Sequence, residues 1–249
     1  MYHFFAEHEN IYENYIDIKG EDVNHIRNVL RLKVNDEILI SSGDNIDYSC
    51  KIAELADDYV RADIVSTDNR GRELGTDVYL FQGLPKADKM ELIIQKNVEL
   101  GVHEIIPVAM KRCVVKLDDK KAKNKISRWN TIALSAAKQS KRSIVPKVSD
   151  VLSFKQAVDF AKMLDVVLLP YECADGMGKT KRIINSLKPG TKVGIFIGPE
   201  GGFDRGELNY ATENNCEIIT LGKRILRTET AGMMLMSVLM YHFEDDEND

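Results

Sequence analysis

The chain has 249 residues, 44% hydrophobic and 29% charged, with a formal net charge of −5, the balance of a soluble globular protein rather than a disordered one. No apolar run reaches the roughly 18 residues of a membrane span, and the acidic, aromatic start MYHFFAEHENIYENY lacks the pattern of an export signal. Cys50, Cys113, Cys173 and Cys216 stand far apart without zinc or disulfide spacing, so a cytoplasmic protein with no metal and no membrane partner is expected.

From Tyr15 to about Thr67 the residues alternate as short strands, Tyr15 to Ile18, Glu37 to Ser41, Tyr48 to Leu55 and Tyr59 to Val65, broken by a small helix over Glu21 to Leu30. That pattern predicts a compact β-barrel, residues 1–70, with Asp68 to Thr76 as the linker. Over residues 71–249 apolar strands alternate with amphipathic helices, predicting an α/β domain with a parallel sheet. The strands are Val78 to Gln82, Glu104 to Ala109, Val166 to Pro170, Lys192 to Ile197 and Glu217 to Leu221. The helices are Asp88 to Leu100, Lys125 to Lys141, Phe154 to Lys162, Lys179 to Leu187, Glu207 to Asn214 and Ala231 to Phe243. Capping boxes are expected at Asp88 with Glu91 and at Asp204 with Glu207, and Gly101 is placed to close its helix.

Charge is unevenly spread. Twelve Lys or Arg fall between Lys111 and Lys147 against Asp118 and Asp119, while Glu244 to Asp249 carry five carboxylates that hide the excess in the sum. Such a run is either a solvated helix face or a surface for phosphates.

Two strand-to-helix turns carry candidate chemistry. Gly176-Met-Gly-Lys-Thr180 resembles a phosphate-binding loop, but Cys173 occupies the position where that loop needs its first glycine. The second turn, Gly198-Pro-Glu-Gly-Gly202, follows a buried strand where open α/β sheets bind ligands. The next strand leads to Gly222-Lys-Arg-Ile-Leu-Arg-Thr-Glu-Thr-Ala231, so two adjacent strand ends are expected to face one ligand. Arg224, Arg227 and Glu229 form an ion-pair cluster or hold a substrate anion, and Thr228 and Thr230 cap the helix that follows.

GPEGGF at Gly198 to Phe203 and LGKRILRTETA at Leu221 to Ala231 resemble the signature of the RsmE family, 16S ribosomal RNA uridine N3-methyltransferases of the SPOUT class. HIRNVLR at His25 to Arg31, KADKMELIIQKNVELGV at Lys86 to Val102 and SAAKQSKR at Ser135 to Arg142 extend the resemblance over nearly the whole chain. It implies a PUA-like β-barrel followed by an α/β SPOUT domain whose C-terminal chain forms a trefoil knot, and a homodimer built on the apolar helix Ala231 to Phe243.

The resemblance also implies S-adenosylmethionine as cofactor. Leu169, Pro170, Ile197, Gly198, Pro199, Glu200, Gly201, Gly202, Leu221, Gly222, Ile225, Leu226, Arg227 and Ala231 would bind it. Arg227 would hold the uracil and Glu229 would accept its proton. His25, Arg27, Arg31, Lys86, Lys89, Lys138, Gln139, Lys141 and Arg142 would contact 16S ribosomal RNA in the small subunit. The family often has arginine where His3 stands and glycine where Asn35 stands. The competing readings are a transfer RNA ribose 2′-O-methyltransferase and an RNA-binding assembly factor without catalysis.

Overall fold

The computed structural model describes residues 1–172 and 176–244. Contacts divide the chain into two units, Met1–Glu73 with Ala137–Val145, and Leu74–Ala136 with Pro146 onward.

The first unit carries β1 (Tyr2–Phe5), β2 (Tyr15–Lys19), a short helix α1 (Glu21–Asn24) continued by a π turn (His25–Val29), β3 (Glu37–Ser41), β4 (Asp47–Leu55) and β5 (Tyr59–Asp68). Its sheet runs β1-β3-β4-β5-β2, antiparallel except for the parallel pair β1 and β3. Alternation puts Ile16, Ile18, Ile38, Ile40, Ile52 and Val60 into one core, which Ile26 of the π turn closes. Asn35, at φ +75°, takes the left-handed turn before β3, a conformation asparagine tolerates.

β1 escaped the sequence reading because its partner is remote and His3 interrupts its apolar side. His3 is buried, with Nε2 2.7 Å from the Ser41 hydroxyl. Ser41 donates in turn to Asp47, whose other oxygen accepts from Ser143 at 2.8 Å. Glu73 pairs with the buried Arg142 and accepts from the Ser143 and Ile144 N–H groups at 3.0 and 3.2 Å. These buried polar bonds place Ala137–Val145 in the first unit, whereas the expected division at residue 70 gave that segment to the second.

The second unit contains β6 (Val78–Gly83), α2 (Lys89–Glu99), β7 (Glu104–Ala109), most of α3 (Asp119–Ser140), β8 (Lys147–Val148), β9 (Leu152–Ser153), α4 (Phe154–Ala161), β10 (Val166–Pro170), α5 (Met177–Ser186), β11 (Val193–Ile197), α6 (Arg205–Glu213), β12 (Glu217–Ile219) and α7 (Thr228–Phe243). The sheet order is β12-β10-β11-β6-β7-β8, with β9 also on β7, and every pairing is parallel. A parallel sheet buried on both faces explains why these strands read as unbroken apolar runs. On one face Phe81 stacks on Phe196 at 4.3 Å and both meet α4 through Phe160 and Phe154, each ring contributing roughly 1.5–3 kcal/mol by burial. On the other, α7 packs on α2, β6 and β11.

Gly101, at φ +92°, closes α2 as expected, with Gly101 N–H on the Val98 carbonyl and Val102 N–H on Asn97. The capping box at Asp204 is present, but the one at Asp88 is not: Asp88 lacks the extended cap conformation, and Glu91 instead pairs with Arg128 at 2.9 Å. Helix α3 begins six residues before the expected Lys125. Among the described residues no helix is long and apolar enough to cross a membrane.

The helix α7 is apolar on nearly all sides, yet only Gly232, Leu235, Met236, Leu239 and Phe243 join Thr228 in the interior, and Tyr241 is 87% exposed.

Candidate active site

The C-terminal ends of β10, β11 and β12 open on one cleft of about 450 Å³, within the roughly 300–1,000 Å³ of small-molecule sites. The strand ends were expected to be adjacent, but β10 lies between β11 and β12 and contributes Pro170, Tyr171 and Glu172 to the wall. The β11 loop lines the cleft from Ile197 through Phe203, and the β12 loop from Thr220 through Gly222 and from Arg224 through Thr228, with Ala231 beyond. Leu169 is the exception among the expected ligand residues: it is fully buried and does not reach the cleft.

Close packing shapes these loops. Gly83, at the end of β6, lets the Pro199 ring approach to where a Cβ would sit 2.8 Å from its Cδ; any side chain there displaces the β11 loop. Gly222 turns the β12 loop with φ +111°, its N–H donating to the Thr220 hydroxyl at 3.2 Å. The Thr228 hydroxyl joins the two loops. It donates to the Gly198 carbonyl at 2.7 Å and accepts from buried Gln82 Nε2 at 2.9 Å. Lys111 bonds Asp204 at 3.0 Å, and this ammonium and the Gly206 N–H hold the Asp204 carboxyl below the usual range.

Charge at the cleft is partly paired. Lys89 Nζ lies 3.0 Å from Glu200 Oε1 and 3.4 Å from Glu229 Oε2, and these carboxylates, Glu200 above all, hold the ammonium above the ordinary lysine range. Burial works against the Glu200 carboxylate, yet Lys89 and the N–H groups of Glu200 and Lys86 hold it below the usual range. Arg112 donates to the Gly201 carbonyl at 3.1 Å. The Arg224 and Arg227 guanidinium groups are exposed and have no hydrogen bond or ion pair among the described residues. The site thus presents backbone groups, apolar walls and free guanidinium donors in one place.

The RNA methyltransferase domain profile matches residues 72–240, and the RNA methyltransferase PUA domain profile matches residues 18–65. The ribosomal RNA small subunit methyltransferase E of Bacillus subtilis (strain 168) is 43% identical, covering 91% of this chain and 90% of the relative. The chain belongs to the ribosomal RNA small subunit methyltransferase E family. The Mesomycoplasma hyopneumoniae (strain 232) member is 34% identical over 95% of this chain and 98% of its own. A solved family member from Neisseria gonorrhoeae, bound to S-adenosyl methionine, aligns over 97% of each chain at 30% identity with a TM-score of 0.82. The α/β class with a PUA domain first and a SPOUT-type parallel sheet second is the family's architecture.

The other expected residues divide by their partners. In the first unit, Arg142 is buried against Glu73, Lys138 is held by Asp22 at 2.7 Å, and Arg27 pairs with Asp57 at 2.9 Å. Arg142 is thereby taken into the interior, whereas Lys138 and Arg27 are paired but remain partly exposed. His3 is likewise interior. His25, Arg31, Gln139 and Lys141 remain exposed. In the second unit Lys86 is exposed, whereas Lys89 belongs to the cleft. Glu229 does not line the cleft and serves Lys89. In the rival phosphate loop, Lys179 pairs with Glu217 at 2.7 Å and the Thr180 hydroxyl is spent on the Thr220 carbonyl; Cys173 lies outside the described residues. Arg112, Tyr171, Glu172, Phe203 and Thr220 were missed. Arg112 had a sequence signal, a cation just beyond a strand end, and Phe203 closes the GPEGGF segment.

Proposed function

We propose that this chain transfers a methyl group from S-adenosylmethionine to N3 of a uridine in 16S ribosomal RNA of the small subunit. The observation that carries the proposal is the shared cleft: Gly198, Gly222 and Pro170, from three separate strand ends, line one cavity in a family with a member solved around this ligand. The residues fit such a group. Glycine-rich backbone suits a flat base, Ile197, Leu226 and Ala231 supply apolar contact, and Glu172 and Glu200 offset a sulfonium charge.

When bound, S-adenosylmethionine supplies an electrophilic methyl on a sulfonium. The chain's work is positioning and charge stabilisation. The uridine imide must lose its N3 proton, to solvent water at the open cleft, before the nitrogen is nucleophilic, and the Arg227 guanidinium, with no hydrogen bond or ion pair among the described residues, offers N–H groups to the uracil oxygens that carry the resulting charge. Lys89, gripped by Glu200 and Glu229, keeps the β11 loop against the start of α7. We assign Glu229 to that grip rather than to taking the proton, because its carboxylate is outside the cleft wall.

The partly exposed face of α7, with Met233, Met234, Val238 and Tyr241, is the surface for a homodimer, and the C-terminal chain is knotted as in the SPOUT class. The first unit acts as an RNA-binding barrel and the second as the catalytic domain, in the cytoplasm. Incubating the protein with methyl-labelled S-adenosylmethionine and 16S ribosomal RNA, then separating nucleosides by mass spectrometry, tests the proposal. N3-methyluridine is expected; label on a ribose 2′-oxygen supports the transfer RNA-type rival, and no label supports the assembly-factor rival.

A further inference from the structure

The ion pairs in the second unit leave a specific set of cations unspent. Between Arg112 and Lys123 lie five cations and two carboxylates. One carboxylate, Asp118, is taken by Lys121 at 3.1 Å. Lys116, Lys120 and Lys123 are exposed and have no ion pair among the described residues.

Their placement is fixed at two points on the cleft rim. At one end Arg112 lines the cleft and bonds the Gly201 carbonyl at 3.1 Å, while a Cβ on Gly201 would stand 3.1 Å from the Arg112 Cβ. At the other end Arg128 bonds Glu91 at 2.9 Å and Lys125 reaches Asp88 at 4.0 Å, both at the start of α2, where Lys89 also lines the cleft. The intervening loop and helix are therefore held along the rim.

On α3, Lys120, Lys123, Asn124, Ser127 and Thr131 recur at helical spacing and are exposed, while Trp129, Ala133 and Ala136 on the other side are buried. The exposed stripe carries hydrogen-bond donors and no acid. Val114, 67% exposed in the loop between Arg112 and Lys116, adds an apolar surface within the basic segment.

We infer that Arg112, Lys116, Lys120 and Lys123 form a track for the sugar-phosphate backbone of the RNA strand that delivers its target nucleotide to the cleft. Exposed ammonium groups with no ion pair among the described residues bind phosphates without reading sequence, and the arginine at the rim is the last contact before the reacting base. The inference rests on the proposed RNA methylation and adds the route by which RNA enters.

The test uses the full chain and a ribosomal RNA fragment, without cofactor. Lys116→Ala, Lys120→Ala and Lys123→Ala combined are compared with a charge-matched control, Lys181→Ala, Arg182→Ala and Lys188→Ala, on and just after the exposed side of α5. Counter-ion release gives about 0.7 of log–log salt slope per single-strand phosphate contact, so the track variant is expected to lower the slope by about 2 and weaken binding, while the control stays within about 0.5 of wild type. S-adenosylmethionine affinity measured in parallel is expected to be unchanged in the track variant, which reports an intact cleft. An unchanged slope in the track variant, or an equal loss in the control, overturns the inference. Failure of the underlying proposal is separately visible, as absence of methyl transfer by the wild-type protein.

Discussion

Thr228→Val deletes one hydroxyl while keeping the shape of the side chain, and the consequence is confined to the joint between the two cleft loops. Gln82 Nε2 keeps one N–H on the Gly83 carbonyl at 3.0 Å, so the groups left without a partner are its second, buried N–H and the Gly198 carbonyl. An orphaned buried acceptor costs about 1–3 kcal/mol. Gly198 is half-buried, so water recovers part of the carbonyl's share, and with the buried Gln82 N–H the loss is at least about 1–2 kcal/mol. For a chain of this size such a loss lowers Tm by roughly 2–8 °C if it falls on the free protein. If the β11 loop relaxes to reach water and must be re-formed by ligand, the same energy raises the Kd for S-adenosylmethionine by roughly 5- to 30-fold. Scanning calorimetry of the free protein and titration calorimetry with the ligand together account for the full cost, and Thr228→Ser restores both. A Tm within about 1 °C of wild type, with a Kd within about twofold, refutes the reasoning.

Arg227→Ala removes an exposed side chain without a protein partner, so stability should stay within about 0.5 kcal/mol while methyl transfer falls by about 100-fold or more; wild-type turnover removes Arg227 from the mechanism. Glu229→Gln should cost less than about tenfold and leave the pH–rate profile in place, whereas loss of a general base would cost about 10²–10⁴-fold and remove the acidic limb. Burial, opposed by Asp47, pushes the His3 imidazole down from 6.5 to about 4. The folded state then binds fewer protons than the unfolded one, so this contribution is complete above pH 6.5 and is lost as pH falls toward 4, in all on the order of 3 kcal/mol. Urea unfolding at pH 7 and pH 4.5 should show a smaller pH loss in His3→Gln than in wild type; equal losses exclude His3 as the source.

The parallel sheet was legible because its strands are apolar on both faces, as in Val78 to Gln82 and Val166 to Pro170, and because Gly101 and Asp204 mark helix ends by local chemistry. Ser153 with Gln156 forms a further capping box whose spacing was present in the sequence. The failures were matters of partner choice. Asp88 and Glu91 have capping-box spacing, but Arg128, remote in sequence, takes the glutamate. Lys138 and Arg142 are paired with Asp22 and Glu73, and spacing alone does not reveal such pairings. Strand order is equally non-local: β10, earlier in the chain, comes to lie between β11 and β12. Both late glycine loops were nevertheless recognised, since their residue types follow from backbone geometry at a strand end.

The central claim is that three strand ends hold one nucleoside. Diffraction from crystals grown with S-adenosylmethionine measures it most directly. Density for the adenosyl group between Gly198 and Gly222, with the methyl directed toward Arg227, is the predicted result. Ligand density at another surface, with this cleft filled only by solvent, contradicts the account.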